Sequence, residues 1–129
     1  MDASALIEAV AAAAVNQRLN ARLLDDTSLH APHLVDVEVL NGLRRLESRG
    51  EVTPESAADA RRQLSRMTIE RYPHGGLADR MWELRKNVSA YDASYIALSE
   101  FLRAPLVTCD GKLARAPGHR AMVEHFPRS

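Results

Sequence analysis

The chain is predicted to fold as one α/β domain, a three-layer sandwich with a mostly parallel central sheet between helices. Three observations predict this. Short β-rich runs alternate with longer stretches of helical periodicity, which implies parallel pairing through crossover connections. The length, 129 residues, is close to the commonest single-domain size. No repeat or low-complexity linker divides the chain, so residues 1–129 read as one domain.

The elements follow in order. Ala3–Ala14 is rich in Ala and Leu, strong helix formers, and a second helix is expected from Asn16 to Leu24. "TSLHAP" (27–32) is a short extended piece that ends at Pro32. From Leu34 to Arg49 the apolar residues Val35, Val39, Leu40, Leu43 and Leu46 form one stripe on a 3.6-residue wheel. Gly50 follows, where a left-handed residue closes a helix. Thr53 caps the next helix, with Pro54 in its first turn, and that helix runs to about Arg66. "MTIERY" (67–72) is β-rich, and "PHGG" (73–76) breaks the chain before a helix over Leu77–Arg85. Ser89–Leu102 is the next helix, with Tyr91, Tyr95, Leu98 and Leu102 as its buried stripe. "APLVTC" (104–109) is a buried strand, Asp110-Gly111 a turn, Lys112–Arg115 a short helix and "MVEHF" (122–126) a last strand.

Composition narrows the function. Net charge is zero, which argues against strong unspecific attraction to a polyanion. The 17 basic residues are nonetheless 15 Arg and 2 Lys, and Arg grips phosphate bidentately where Lys does not. Cys109 stands alone, excluding an internal disulfide and a cysteine-built zinc site. No run approaches the ~18 apolar residues of a membrane span. The start "MDASALIEAVAAAAV" lacks a basic signal-peptide region, so the expected compartment is the cytoplasm.

In open parallel sheets the site lies beyond the carboxyl ends of the strands. Asp110 ends a strand there, although Asp-Gly also makes a plain turn. Ser89 and Asp92 match a capping box ahead of an apolar run, so Asp92 reads equally as a helix-start residue or as a ligand at a cleft edge. Glu38 sits just off the Val35/Val39/Leu43 stripe, with Asn41 and Gly42 leaving room above it. Asp36, on the stripe in the first turn, is its rival, and pattern does not choose between them. Asp2 opens "DASAL" as an N-cap or a frayed terminus. Carboxylates gathered at one rim repel one another and are tolerated mainly when divalent cations neutralise them. Oxygen-only ligation suits Mg²⁺ or Mn²⁺.

Four blocks carry a resemblance: "DASAL" at 2–6, "PHLVDVEVLNGLRRL" at 32–46, "SAYDASYIALSE" at 89–100 and "PLVTCDGKLARA" at 105–116. Together, in this order, they resemble the PIN-domain ribonucleases, and among them the VapC toxins of type II toxin–antitoxin pairs. The resemblance implies a PIN fold and Mg²⁺- or Mn²⁺-dependent RNA cleavage. It implies that Asp2, Glu38, Asp92 and Asp110 are the catalytic metal ligands, choosing Glu38 over Asp36. Thr108 and Ser4 match supporting hydroxyls near the metal. A cognate VapB-type antitoxin and a homodimer are implied as partners. In the family a few apolar residues form a first, central strand ahead of the first acid. Here only Met1 precedes Asp2, so the first strand is expected to be truncated and the true start to lie upstream.

For RNA contact the expected residues are Arg44, Arg45, Arg49, Lys112 and Arg115, all near the acidic motifs in sequence. His30 and His33 flank Pro32 without a metal-binding helical spacing and are read as packing or surface residues. Two alternatives stand beside the nuclease. One is a catalytically impaired PIN domain that only binds a partner. The other is a phosphoacceptor receiver domain, which would want an acidic pair after the first strand, where Ala3 follows Asp2.

Overall fold

A computed structural model describes residues 1–12, 16–25 and 28–128. Its helices are α1 (Ala3–Ala11), α2 (Gln17–Leu24), α3 (Leu34–Ser48), α4 (Pro54–Arg66), α5 (Ala78–Glu83), α6 (Ala90–Leu102) and α7 (Gly111–Ala114). Its strands are β1 (Leu29–Pro32), β2 (Ile69–Tyr72), β3 (Leu106–Thr108) and β4 (Val123–His125). A 3₁₀ turn over Gly75–Leu77 precedes α5. The predicted elements are therefore in place and in order. The expected reach of the first helix to Ala14 lies outside the described residues beyond Ala12, as does Thr27 of the first extended piece.

Local chemistry explains the ends. Asn16 caps α2 through Leu19 N–H, and Thr53 caps α4 through Ser56 N–H with Pro54 at the first position. Gly50 takes φ +72° just past α3, the left-handed value that closes a helix at small cost for Gly.

The α/β character holds, with a refinement of the sheet. Among the described residues it consists of two parallel pairs, β1–β2 and β3–β4, rather than one continuous sheet. The first two residues lie between the pairs. The Met1 amino group donates to His30 O at 3.2 Å, and Asp2 N–H donates to Val107 O at 3.1 Å. Helix α6 packs on both β1 and β3, while α1 packs on α3, α4 and β3.

The core joins Val35, Val39 and Leu43 of α3 to Tyr95 and Ile96 of α6 and Leu106 of β3. Two residues of the expected apolar stripes are exposed instead. Leu40 is 52% exposed, because it lies about 60° beyond Leu43 on the helix wheel and overshoots what α1 and α4 cover. Tyr91 is 60% exposed, in the first turn of α6. On α3 the space above Glu38 at Gly42 is also not empty. A Cβ there would meet Ile7 Cδ1 of α1, so Gly42 is what lets α1 lie against α3.

The far end of α6 is clamped by charge. Arg80 Nε and Nη2 donate to the two oxygens of Glu100 at 2.7 and 3.0 Å, and Arg120 N–H adds a third bond at 2.7 Å. The Arg80 hydrogen bond, the largest influence, holds the Glu100 carboxyl below the usual glutamate value. A depressed carboxyl contributes stability above its unfolded pKa, and that contribution is lost as pH falls through the folded value. Glu100→Gln is expected to cost about 1–3 kcal/mol at pH 7 in urea unfolding, with the gap to the parent narrowing on acidification below pH ~4.

Candidate active site

The site starts at Asp2. Its side chain caps α1, with Oδ1 accepting from Ala5 N–H at 3.1 Å and from Ser4 Oγ at 2.7 Å. Its Oδ2 accepts from Thr108 Oγ1 at 2.5 Å. Asp2 is only 5% exposed, so the terminus is not frayed. Burial raises its pKa above the ordinary value, against the pull of these three donors.

The two hydroxyls do more than solvate Asp2. Thr108 Oγ1 accepts Asp110 N–H at 2.9 Å, and Ser4 Oγ accepts Cys109 N–H at 3.0 Å. Each hydroxyl thus donates to Asp2 and accepts from the β3–α7 turn. That stitches the start of α1 to the end of β3 and fixes Asp110 beside Asp2. Asp110 caps α7 through Lys112 N–H at 2.9 Å, so the Asp-Gly step starts a helix rather than making a plain turn.

Asp92 is the third residue of α6. The cap is Ser89, whose Oγ accepts Asp92 N–H at 3.1 Å, which leaves the half-buried Asp92 carboxylate to face the cleft. Its pKa is pushed up to about 6, first by burial and then by the charges of Asp110, Asp2 and Glu38, with Lys112 opposing. Glu38 comes from α3, where its Oε1 accepts from the Tyr95 hydroxyl at 2.6 Å. Burial, then the bond to Glu38, pushes the Tyr95 pKa far above the usual phenol value, so the hydroxyl stays a donor.

The four acids line one cleft of about 650 Å³ with Ser4 and Tyr95. Gly42, Arg45 and Arg49 continue its α3 wall, and Arg128 joins from the C-terminal segment. The other expected residues are elsewhere. Asp36 is paired bidentately with Arg71 at 2.7 and 2.8 Å on the outside of α3, a bond that lowers its pKa. Arg44 donates to Asn41 Oδ1 and is exposed, outside the cleft lining. Arg115 lies over Gly111 and also outside that lining, and Lys112 is exposed at the rim. His30 bonds Tyr72 at 2.7 Å, a packing role as expected. Tyr95 and Arg128 were not legible as site residues. Tyr95 reads as core because it falls on an apolar stripe, and Arg128 lies beyond every motif.

The donor set is oxygen-only, which suits a hard cation. Among the described residues, no three acidic, His or Cys side chains already form a ready-made cage. An ion held here would keep part of its water shell, the habit of Mg²⁺ in carboxylate sites.

Parallel α/β pairing with four carboxylates converging past the end of β3 defines an acidic-cleft α/β protein. The chain belongs to the PIN-domain family, whose pattern matches residues 1–119. It is 44% identical to "VapC ribonuclease Mb0985" of Mycobacterium bovis (strain ATCC BAA-935 / AF2122/97), over 99% of this chain and 98% of that protein. It is 40% identical to "Ribonuclease VapC1" of Mycobacterium tuberculosis, over 92% of this chain and 90% of the relative. Among solved structures, PAE2754 from Pyrobaculum aerophilum superposes with a TM-score of 0.66 at 25% identity, covering 95% of this chain and 80% of that one.

The repulsion in the cleft has a measurable sign. A carboxyl whose folded pKa is raised destabilises the fold once pH exceeds the unfolded value and the group is forced to ionise. In EDTA at pH 7.5, Asp92→Asn is therefore expected to melt at a higher temperature than the parent. That difference should fade as pH drops from above 6 toward 4, read by differential scanning calorimetry.

Proposed function

We propose that the chain is the endoribonuclease toxin of a VapBC-type pair, cleaving RNA with Mg²⁺ or Mn²⁺ and silenced by a VapB-type antitoxin. The observation that carries the proposal is the shared cleft of Asp2, Glu38, Asp92 and Asp110 in a chain 44% identical to a VapC ribonuclease. These four residues would hold the cation, with Asp2 the most rigid ligand because Ser4 and Thr108 occupy its remaining freedom. When bound, the cation supplies Lewis acidity and lowers the pKa of nearby water.

The chain's own groups then divide the work. Hydrolysis adds water across the phosphodiester: a P–O bond forms from the water, the P–O3′ bond breaks, and the leaving 3′-oxygen takes a proton. Asp92 is the residue to orient the attacking water and accept its proton, since its carboxylate faces the cleft from the first turn of α6, among the other three acids. On α3, Arg45 and Arg49 follow Glu38 at i+7 and i+11, so one helix face runs from the acids into a basic wall. With Arg128 they replace Arg44 and Arg115 as the residues for the RNA backbone. The proposal includes a homodimer and a cytoplasmic setting alongside the RNA substrate. No helix among the described residues is long and apolar enough to cross a membrane.

The test is cleavage of a mixed pool of structured RNAs by the parent and by Asp92→Asn, with Mg²⁺, Mn²⁺ or EDTA. Discrete cuts by the parent in either metal, absent in EDTA and in the variant, are expected. Binding of RNA or antitoxin with no cutting in any condition would instead favour the impaired, binding-only PIN domain. Arg45→Ala and Arg49→Ala should each weaken RNA binding and reduce the salt slope by about 1, whereas Arg44→Ala should leave the slope unchanged.

A further inference from the structure

We infer that Tyr95 is a positioning residue for the cation site: its hydroxyl holds Glu38 in the orientation in which that carboxylate can ligate. The inference rests on the proposed role of Glu38.

Tyr95 is 3% exposed and lies one helical turn after Asp92, so α6 presents both residues to the same cleft. Its ring also borders a second, smaller cavity of about 90 Å³, lined by Met1, His30 and Leu98. Tyr95 thus stands between that space and the acids. A buried phenol needs a polar partner for its hydroxyl. The partner here is Glu38 Oε1 at 2.6 Å, a bond shortened by the charge on the acceptor. The Ala3 backbone amide lies against the same hydroxyl, so one oxygen touches α1, α3 and α6 at once. The Glu38 carboxylate accepts no other hydrogen bond among the described residues. Its second oxygen, Oε2, is left for the cleft. Without the Tyr95 hydroxyl, no hydrogen bond would hold the Glu38 carboxylate against repulsion from the other acids, which pushes it outward.

Tyr95→Phe removes the oxygen and keeps the wall. Mn²⁺ binding to the metal-free protein, followed by electron paramagnetic resonance, is the primary readout, with Glu38→Gln and the double variant alongside. Tyr95→Phe is expected to weaken Mn²⁺ about 10–100-fold, while adding it to Glu38→Gln should cost nothing further. In RNA cleavage, excess Mn²⁺ should restore most of the turnover of Tyr95→Phe, a recovery that a general loss of structure would not show. Parent-like Mn²⁺ affinity in Tyr95→Phe, with affinity lost in Glu38→Gln, overturns the positioning role alone. Parent-like affinity in Glu38→Gln removes Glu38 from the ligand set and overturns both readings. If Tyr95→Phe fails to fold, the parent itself decides. A slowly exchanging, downfield Tyr95 hydroxyl proton that moves in Glu38→Gln is expected by NMR, and its absence overturns the inference.

Discussion

Asp2 has given up nearly all contact with water, and an ionisable carboxyl in that position must find replacement donors or abandon its charge. The replacements come from two distant parts of the chain: Ala5 and Ser4 on its own helix, and Thr108 at the end of β3. Satisfying this one group therefore brings the start of α1 against β3. Because Thr108 and Ser4 also accept from the turn after β3, the same bonds set Asp110. The backbone of Met1 and Asp2, bonded to β1 on one side and β3 on the other, links the two parallel pairs at the same place.

The opposite force works across the cleft. Two acids outside it are neutralised: Asp36 by Arg71 and Glu100 by Arg80, each with a lowered pKa. Asp2 and Asp92 inside it have raised values, chiefly through burial, and the charges of Asp110, Asp2 and Glu38 add to the rise at Asp92. Those two charges are paired while the cleft carboxylates are left in conflict, a condition in which a divalent cation gains on binding. The basic wall of Arg45, Arg49 and Arg128 lines the same cleft, and among the described residues none of the three forms an ion pair, which leaves them for an anionic ligand.

Much of this is legible in the amino-acid sequence. Caps, turns and helix boundaries are decided by neighbours in the chain, so Thr53, Gly50, Ser89 and the strand at β3 could be read directly. The acids were legible through four short motifs in order, although periodicity alone left Glu38 and Asp36 level. Helix wheels were less reliable at the margins of a stripe. Leu40 and Tyr91 are apolar and near the buried face, yet whether a residue there is covered depends on how wide the neighbouring helix is and where it ends.

By itself the sequence determined the class of fold, the order of its elements, and which carboxylates belong together, because local propensity, capping and motif order are properties of contiguous residues. Tertiary structure decided the rest. Arg45 and Arg44 are adjacent and chemically identical, and only the direction of α3 relative to α1 puts one in the cleft and the other in solvent beside Asn41. Tyr95 looked like core until Glu38, 57 residues away, met its hydroxyl. Side-chain partnership across such separations is set by packing geometry, which no local pattern encodes.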